Sequence, residues 1–213
     1  MTVDLDPRRS AVLVIDLQND NLADDGAAGG TPGVNHAREV GVVENVARIA
    51  RAARAAGIPV IHVHFVVDPA VGGAGNNIPL FQTITAQRTV VRGSYGAAPF
   101  PGAEPLDTDL VLERARMSAF HGTPLDTVLR QTERTHLLLT GVHTNHAVGT
   151  TARNAADLGY TPIVVSDATA STTADAHAAD LRYGFADIAP VVDTSAVLAS
   201  LNTHLKAAHK EAR

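Results

Sequence analysis

Asp16 closes an unbroken apolar run, Ala11-Val12-Leu13-Val14-Ile15, and is followed by Leu17-Gln18-Asn19-Asp20. A carboxyl group at the end of such a run needs a partner or a use, because burying it unpaired is costly. It either caps the loop that follows or serves as a general acid or base. Arg114 ends a second run, 109–114, where a guanidinium is either an ordinary surface group or a clamp on a carboxylate through two parallel hydrogen bonds. Beside Asp16 it would favour the ionised carboxylate, and so a base more than an acid. His143 and His146 stand three residues apart, just after Leu137-Leu138-Leu139-Thr140-Gly141. They either line a pocket and position a water or are surface histidines of a helix. His62 and His64 share one side of a strand, but a metal site needs three or four converging ligands. No catalytic metal and no cofactor are expected.

The elements that must carry these groups alternate. Strands are expected at 11–16, 59–66, 109–114, 136–140, 162–167 and 188–192, as short apolar runs. Helices are expected at 34–56, closed by Gly57, and at 123–133, with Thr123 as cap and Pro124 in the first position. Three more are expected at 146–158, 173–186 and from 195 to about 206. Residues 21–33 read as loop, and 68–108 as a long irregular connection with a functional or subunit-forming role. The alternation predicts an α/β fold, a three-layer α-β-α arrangement with a mainly parallel six-stranded sheet. Ligands of such sheets bind beyond the C-terminal strand ends. Asp16, Arg114 and the Gly141 turn all fall there.

The chain has 213 residues, 45% of them hydrophobic and 18% charged, which suits one globular domain over 1–213 with a fraying tail at 206–213. Its net charge is −5 and its 17 basic residues are scattered, unlike a nucleic-acid binder. No apolar run nears the roughly 20 residues needed to span a bilayer, and the first residues lack a signal-peptide core. A cytoplasmic location is the expectation, with no membrane and no nucleic-acid partner. There is no cysteine, hence no disulfide.

Three stretches carry a resemblance. Gly141-Val142-His143-Thr144-Asn145-His146-Ala147-Val148, with Thr151-Ala152-Arg153 and Ala155, resembles the nucleophile turn G-V-x-T-N-x-C-V-x-x-T-A-R-x-A of the isochorismatase-like (cysteine hydrolase) superfamily. Arg114, Ser118-Ala119-Phe120, Gly122-Thr123 and Leu125 resemble its K-x-x-x-S-A-F-x-G-T-x-L motif, and Asp16-Leu17-Gln18-Asn19-Asp20 its first motif. The resemblance runs over about 11–201. It implies that Asp16 is the general acid/base, that Arg114 occupies the place of a catalytic lysine, and that Ala147 occupies the place of the cysteine. It also implies a cis peptide between Val142 and His143, whose N–H groups form an oxyanion hole with that of residue 147. Gln18, Val142, His143, His146 and Phe120 are the expected substrate- or oxyanion-facing residues. Asn21 stands where relatives carry an aromatic, and the Asp-x-His metal motif of nicotinamidase relatives is missing.

Ala147 keeps the backbone cradle and removes the attacking atom, a loss worth several orders of magnitude in a covalent mechanism. Arg114 stays protonated where a lysine can be tuned. Three readings stay open. The chain is a hydrolase working through Asp16 and water on a small-molecule substrate; it is a C–N amidohydrolase whose cysteine was replaced; or it is a non-catalytic ligand-binding relative. Family members are commonly dimers or tetramers. Here 68–108, holding Phe81, Tyr95 and Phe100, is the expected contact of a homodimer or homotetramer.

Overall fold

A computed structural model describes residues 4–211, with side chains for 4–206. Six strands form one sheet: β1 Ser10–Ile15, β2 Val60–Phe65, β3 Leu110–Arg114, β4 His136–Val142, β5 Thr161–Ala170 and β6 Val191–Val192. Their order is β3-β2-β1-β4-β5-β6, every neighbouring pair parallel. The eight helices among the described residues are α1 Asn19–Leu22, α2 Pro32–Val40, α3 Val42–Ala55, α4 Pro79–Gln87, α5 Leu125–Gln131, α6 Gly149–Asp157, α7 Ala174–Ala179 and α8 Thr194–Glu211.

Alternate side chains of a strand point to opposite faces, and β1 feeds two cores in this way. Val12 and Val14 pack with Val46 and Ile49 of α3 and Val197 and Leu201 of α8. Ala11, Leu13 and Ile15 pack with Leu125 and Leu129 of α5 and Ala152 and Ala155 of α6. The sheet is thus covered on both faces, which explains why β1 and β2 are buried along their whole length. A third cluster, with Phe65, Phe81 and Val90, lies under α4.

Several expected boundaries move. The helix expected at 34–56 is two, α2 and α3, because Gly41 adopts φ 73, a left-handed conformation that ends one helix and starts the next. The connection 68–108 contains a 3₁₀ turn, Pro69–Val71, and helix α4. Pro124, not Thr123, precedes α5; the Thr123 hydroxyl accepts from the Leu125 N–H and donates to the Ala119 carbonyl. β4 and β5 run on to Val142 and Ala170, whereas β6 shrinks to two residues. Wide π-type turns, Thr144–Val148 and Asp180–Gly184, replace the start of the helix at 146–158 and the end of that at 173–186. The backbone of α8 is helical to Glu211; the side chains of the tail expected to fray lie outside the described residues, apart from Lys206. Among the described residues no helix is long and apolar enough to cross a membrane.

The strand order reverses between β1 and β4, and that switch point opens a crevice at the C-terminal strand ends. Ile15 lies opposite Gly141 in the register. Asp16 therefore meets the turn that follows β4.

Candidate active site

Asp16 leaves β1 with φ 56. Its N–H donates to the Val63 carbonyl at 3.0 Å, and its own carbonyl accepts from the Asn21 side chain at 2.9 Å. These bonds hold the carboxyl group at the strand end. Gly141, at φ 105, passes so close that an added Cβ would lie 1.9 Å from the Ile15 carbonyl oxygen. Only glycine allows β4 this approach.

Arg114 Nη2 donates to Asp16 Oδ2 at 2.7 Å, and both residues are buried. The expected two parallel bonds do not form: Asp16 Oδ1 and Arg114 Nε and Nη1 have no partner among the described residues. The guanidinium lies over the Phe65 ring, 5.1 Å from its centroid. Burial pushes the Asp16 carboxyl above its ordinary value, although Arg114 opposes it by charge and hydrogen bond. Desolvation of the carboxylate thus works against the Arg114 cation, which by itself favours the ionised form.

A cavity of about 130 Å³ opens beside this pair. Its polar lining is Asp16, Asn21, Thr89, His143 and His146, and Ala147 lines it as well. Phe65, Leu80, Ile84, Val90 and Met117 supply most of the apolar wall. A dry cavity of roughly 150 Å³ takes a benzene-sized guest, so the volume suits a small molecule. A larger depression of about 670 Å³ lies around Arg9, Arg134 and Tyr160, beside the start of β4 rather than its end. It holds none of the groups above and lies on the side where such sheets do not place their chemistry.

The Val142–His143 peptide is cis. The His146 and Val148 N–H groups donate back to the His143 carbonyl at 3.0 and 3.2 Å, shaping the wide turn that presents Ala147. Buried polar side chains hold this turn from beneath. His177 Nε2 is 3.1 Å from the Ser166 carbonyl, which can only accept, so that nitrogen carries the proton and the Thr144 hydroxyl donates to Nδ1 at 2.8 Å. Ser171 Oγ bonds Asn145 Oδ1. Thr151 Oγ1 accepts from the Ala119 N–H at 3.0 Å, tying α6 to the turn after β3. Burial, helped by His146, pushes His143 down to about 4. Burial also lowers His146, with Asp180 opposing.

Asp16, His143, His146 and Ala147 thus share one cavity, and Arg114 touches Asp16 from behind. Gln18 does not join them. Its amide donates to the Phe65 and Ala97 carbonyls at 3.0 and 2.8 Å and accepts from the Phe65 N–H at 2.9 Å, so it fastens strands and loop rather than facing substrate. Phe120 stacks on Tyr160, 5.6 Å between centroids, on the core side of α5 and α6. Val142 buries its side chain in the other core and offers the site only its peptide. His62 lies 3.3 Å from Asp109, which Arg54 grips at 2.9 and 2.5 Å. Among the described residues no three His, Asp or Glu side chains converge on a metal position. Leu80 and Ile84 of α4, with Phe65 and Met117, are the wall that sequence reasoning missed. The signal was there: Pro79 suits a first helical position, and Leu80 and Ile84 are four apart.

A family model described as the isochorismatase domain matches residues 10–196. The chain is 34% identical over 177 residues to the ureidoacrylate amidohydrolase RutB of Methylobacterium radiotolerans, covering 78% of this chain and 68% of that protein. It is 32% identical to RutB of Cronobacter sakazakii, covering 76% of this chain and 75% of that one. A solved isochorismatase family protein from Burkholderia thailandensis superposes with a TM-score of 0.75 at 30% identity, covering 95% of this chain and 100% of that one. A cysteine hydrolase from Pseudomonas syringae pv. phaseolicola gives 0.84 at 24% identity, covering 95% and 96%, a likeness of fold alone.

Proposed function

This chain belongs to the isochorismatase family of hydrolases, and on that premise we propose that it cleaves a small electron-rich alkene, an enol ether or N-vinyl amide, by proton transfer from Asp16 and addition of water. No covalent thiol step is involved. The observation that supports this reading is a carboxyl group that burial biases towards its protonated form, with one oxygen unpartnered, on the wall of a small cavity. Such a group is a general acid. Proton transfer to the terminal alkene carbon leaves a cation on the carbon bearing oxygen or nitrogen, and water attacks there. Arg114 already donates to Asp16 Oδ2, so it stabilises the carboxylate that proton transfer creates. Ala147 adds no nucleophile and needs none.

Acetaldehyde release from ethyl vinyl ether and from N-vinylacetamide, both small enough for the cavity, tests the reading. Asp16→Asn is expected to lower the rate by about 10²- to 10⁴-fold, the usual worth of a general acid. Full activity in that variant sinks the proposal.

The amidohydrolase reading is favoured by one observation, the identity to proteins named ureidoacrylate amidohydrolase. It requires Ala147→Cys, alone or with Arg114→Lys, to create ammonia release from a ureide. Our reading expects little gain from the single change, because a guanidinium does not exchange its proton as a lysine does. A wild-type chain inert to vinyl compounds, with ureide hydrolysis appearing in either variant, would install the thiol reading instead.

A further inference from the structure

We infer that the imidazole of His143 takes the proton of the attacking water, so that Asp16 and His143 form an acid–base pair in place of the family's thiol. The inference rests on the reading of Asp16 given above.

The imidazole lines the same cavity as Asp16 and Ala147. Its Nδ1 is buried and has no hydrogen-bond partner among the described residues, and the same holds for Asp16 Oδ1. Buried polar atoms in folded proteins are almost always paired, so two unpaired ones in residues lining one cavity mark polar groups the fold leaves unsatisfied. The ring's Nε2, neither fully buried nor hydrogen-bonded among the described residues, is the nitrogen that can meet a water there. Two of the nearby histidines differ. His177 has both ring nitrogens engaged, by Thr144 and by Ser166, and His36 Nδ1 accepts from the Ser171 N–H. Those two are held as structure; His143 is not. Its position is fixed by the backbone, since its carbonyl anchors the turn through the His146 and Val148 N–H groups.

The charged and titratable groups around the ring agree. His146 stands edge-on at 6.2 Å, and His146 and His36 both disfavour a proton on His143. Asp16 lies on the same cavity with Arg114 behind it, and Asp180 faces His146. Burial pushes the carboxyl up and the imidazole down to about 4, so it disfavours the charged form of both and leaves the imidazole free to accept a proton. So weak a base is poor for attack on a neutral amide carbonyl. It is adequate for water adding to a cation, which is what protonation by Asp16 produces.

The steps balance. The Asp16 O–H proton forms the new C–H bond with the alkene π electrons, leaving the carboxylate on Arg114. Water forms the C–O bond and loses one proton to His143. The resulting hemiacetal or carbinolamide then breaks its bond to the leaving oxygen or nitrogen, which takes the proton from His143. The hydroxyl proton returns to Asp16 as the carbonyl forms.

The test measures kcat, KM and the pH profile for acetaldehyde release from ethyl vinyl ether and N-vinylacetamide. Wild type, Asp16→Asn, His143→Ala and His143→Gln are compared. His143→Ala is expected to lower kcat by about 10²-fold or more with KM little changed. It should also abolish the acid limb of kcat/KM near pH 4. Added imidazole should restore part of the rate. If the alanine variant fails to melt cooperatively, the glutamine variant decides, since it is close in size and cannot accept the proton. Near-wild-type kcat in a folded His143 variant, with the acid limb unmoved, overturns the inference; if Asp16→Asn is then still inactive, the reading of Asp16 stands. Activity in Asp16→Asn, or a wild-type chain inert to both probes, overturns that reading and this inference together.

Discussion

Ile15, the residue before Asp16, lies opposite Gly141 across the β1–β4 pair, and both Asp16 and Gly141 adopt positive φ. Gly141 sits at φ 105 with its Cα against the Ile15 carbonyl. A methyl group there must push β4 from β1 at the centre of the sheet, and φ is unfavourable for any side chain. Gly141→Ala is therefore expected to cost roughly 4 kcal/mol or more, at the severe end for a point change. A urea melt reads this directly, and a midpoint close to wild type would refute the steric argument. Gln18 makes a contrasting prediction. Its amide makes three hydrogen bonds to backbone groups, so Gln18→Ala leaves buried partners unpaired, at about 1–3 kcal/mol for such a group. Its signature is lost stability with an unchanged KM in the variant that remains folded; a raised KM without lost stability would restore the substrate-contact role.

Helix α4 lines the cavity through Leu80 and Ile84 and rests on the small cluster of Phe65, Phe81 and Val90. Ile84 is shared between the active cavity and an adjoining apolar hollow lined by Val67, Pro69 and Val91. Ile84→Ala should join the two spaces and favour a longer ether. Selectivity for butyl over ethyl vinyl ether is expected to rise about tenfold, within the 1–3 kcal/mol worth of such apolar contacts. Unchanged selectivity would place the substrate elsewhere. That α4 escaped the sequence reading has a physical cause. Leu80, Phe81 and Ile84 serve a cavity wall and a satellite cluster, so no single apolar stripe faces the main core. The central strands were legible for the opposite reason: burial on both faces makes β1 and the start of β4 continuous apolar runs. The Gly41 break was not, because a left-handed glycine inside a helical pattern looks like a tolerated one. The Asp16–Arg114 pairing was readable from strand ends. The balance between desolvation and charge was not, because burial comes from residues far apart in the chain.

Acid sensitivity follows from the number of imidazoles the fold buries. His64 is lowered to about 4 by burial, with His62 adding to the effect, and His177 to about 4 by burial and His36. His143 makes a third. In the unfolded chain each returns to the ordinary value of about 6.5. Between about pH 6.5 and 4 the unfolded chain therefore binds more protons than the folded one. By linkage, stability falls as pH falls through that window, by up to about 1.4 kcal/mol per pH unit for each histidine once its unfolded form is charged. Asp16 works the other way, since its raised value makes the folded state more tolerant of acid than of base. Burial lowers His62, His136 and His146 as well and raises Asp180, so six imidazoles against two carboxyls give a net loss. The urea midpoint is expected to drop clearly between about pH 7.5 and pH 5, and His64→Gln, which removes one of these titrations, should flatten the slope. A midpoint that holds or rises on acidification would mean that these imidazoles are solvated in solution, and would also remove the ground for a neutral His143 at the active cavity.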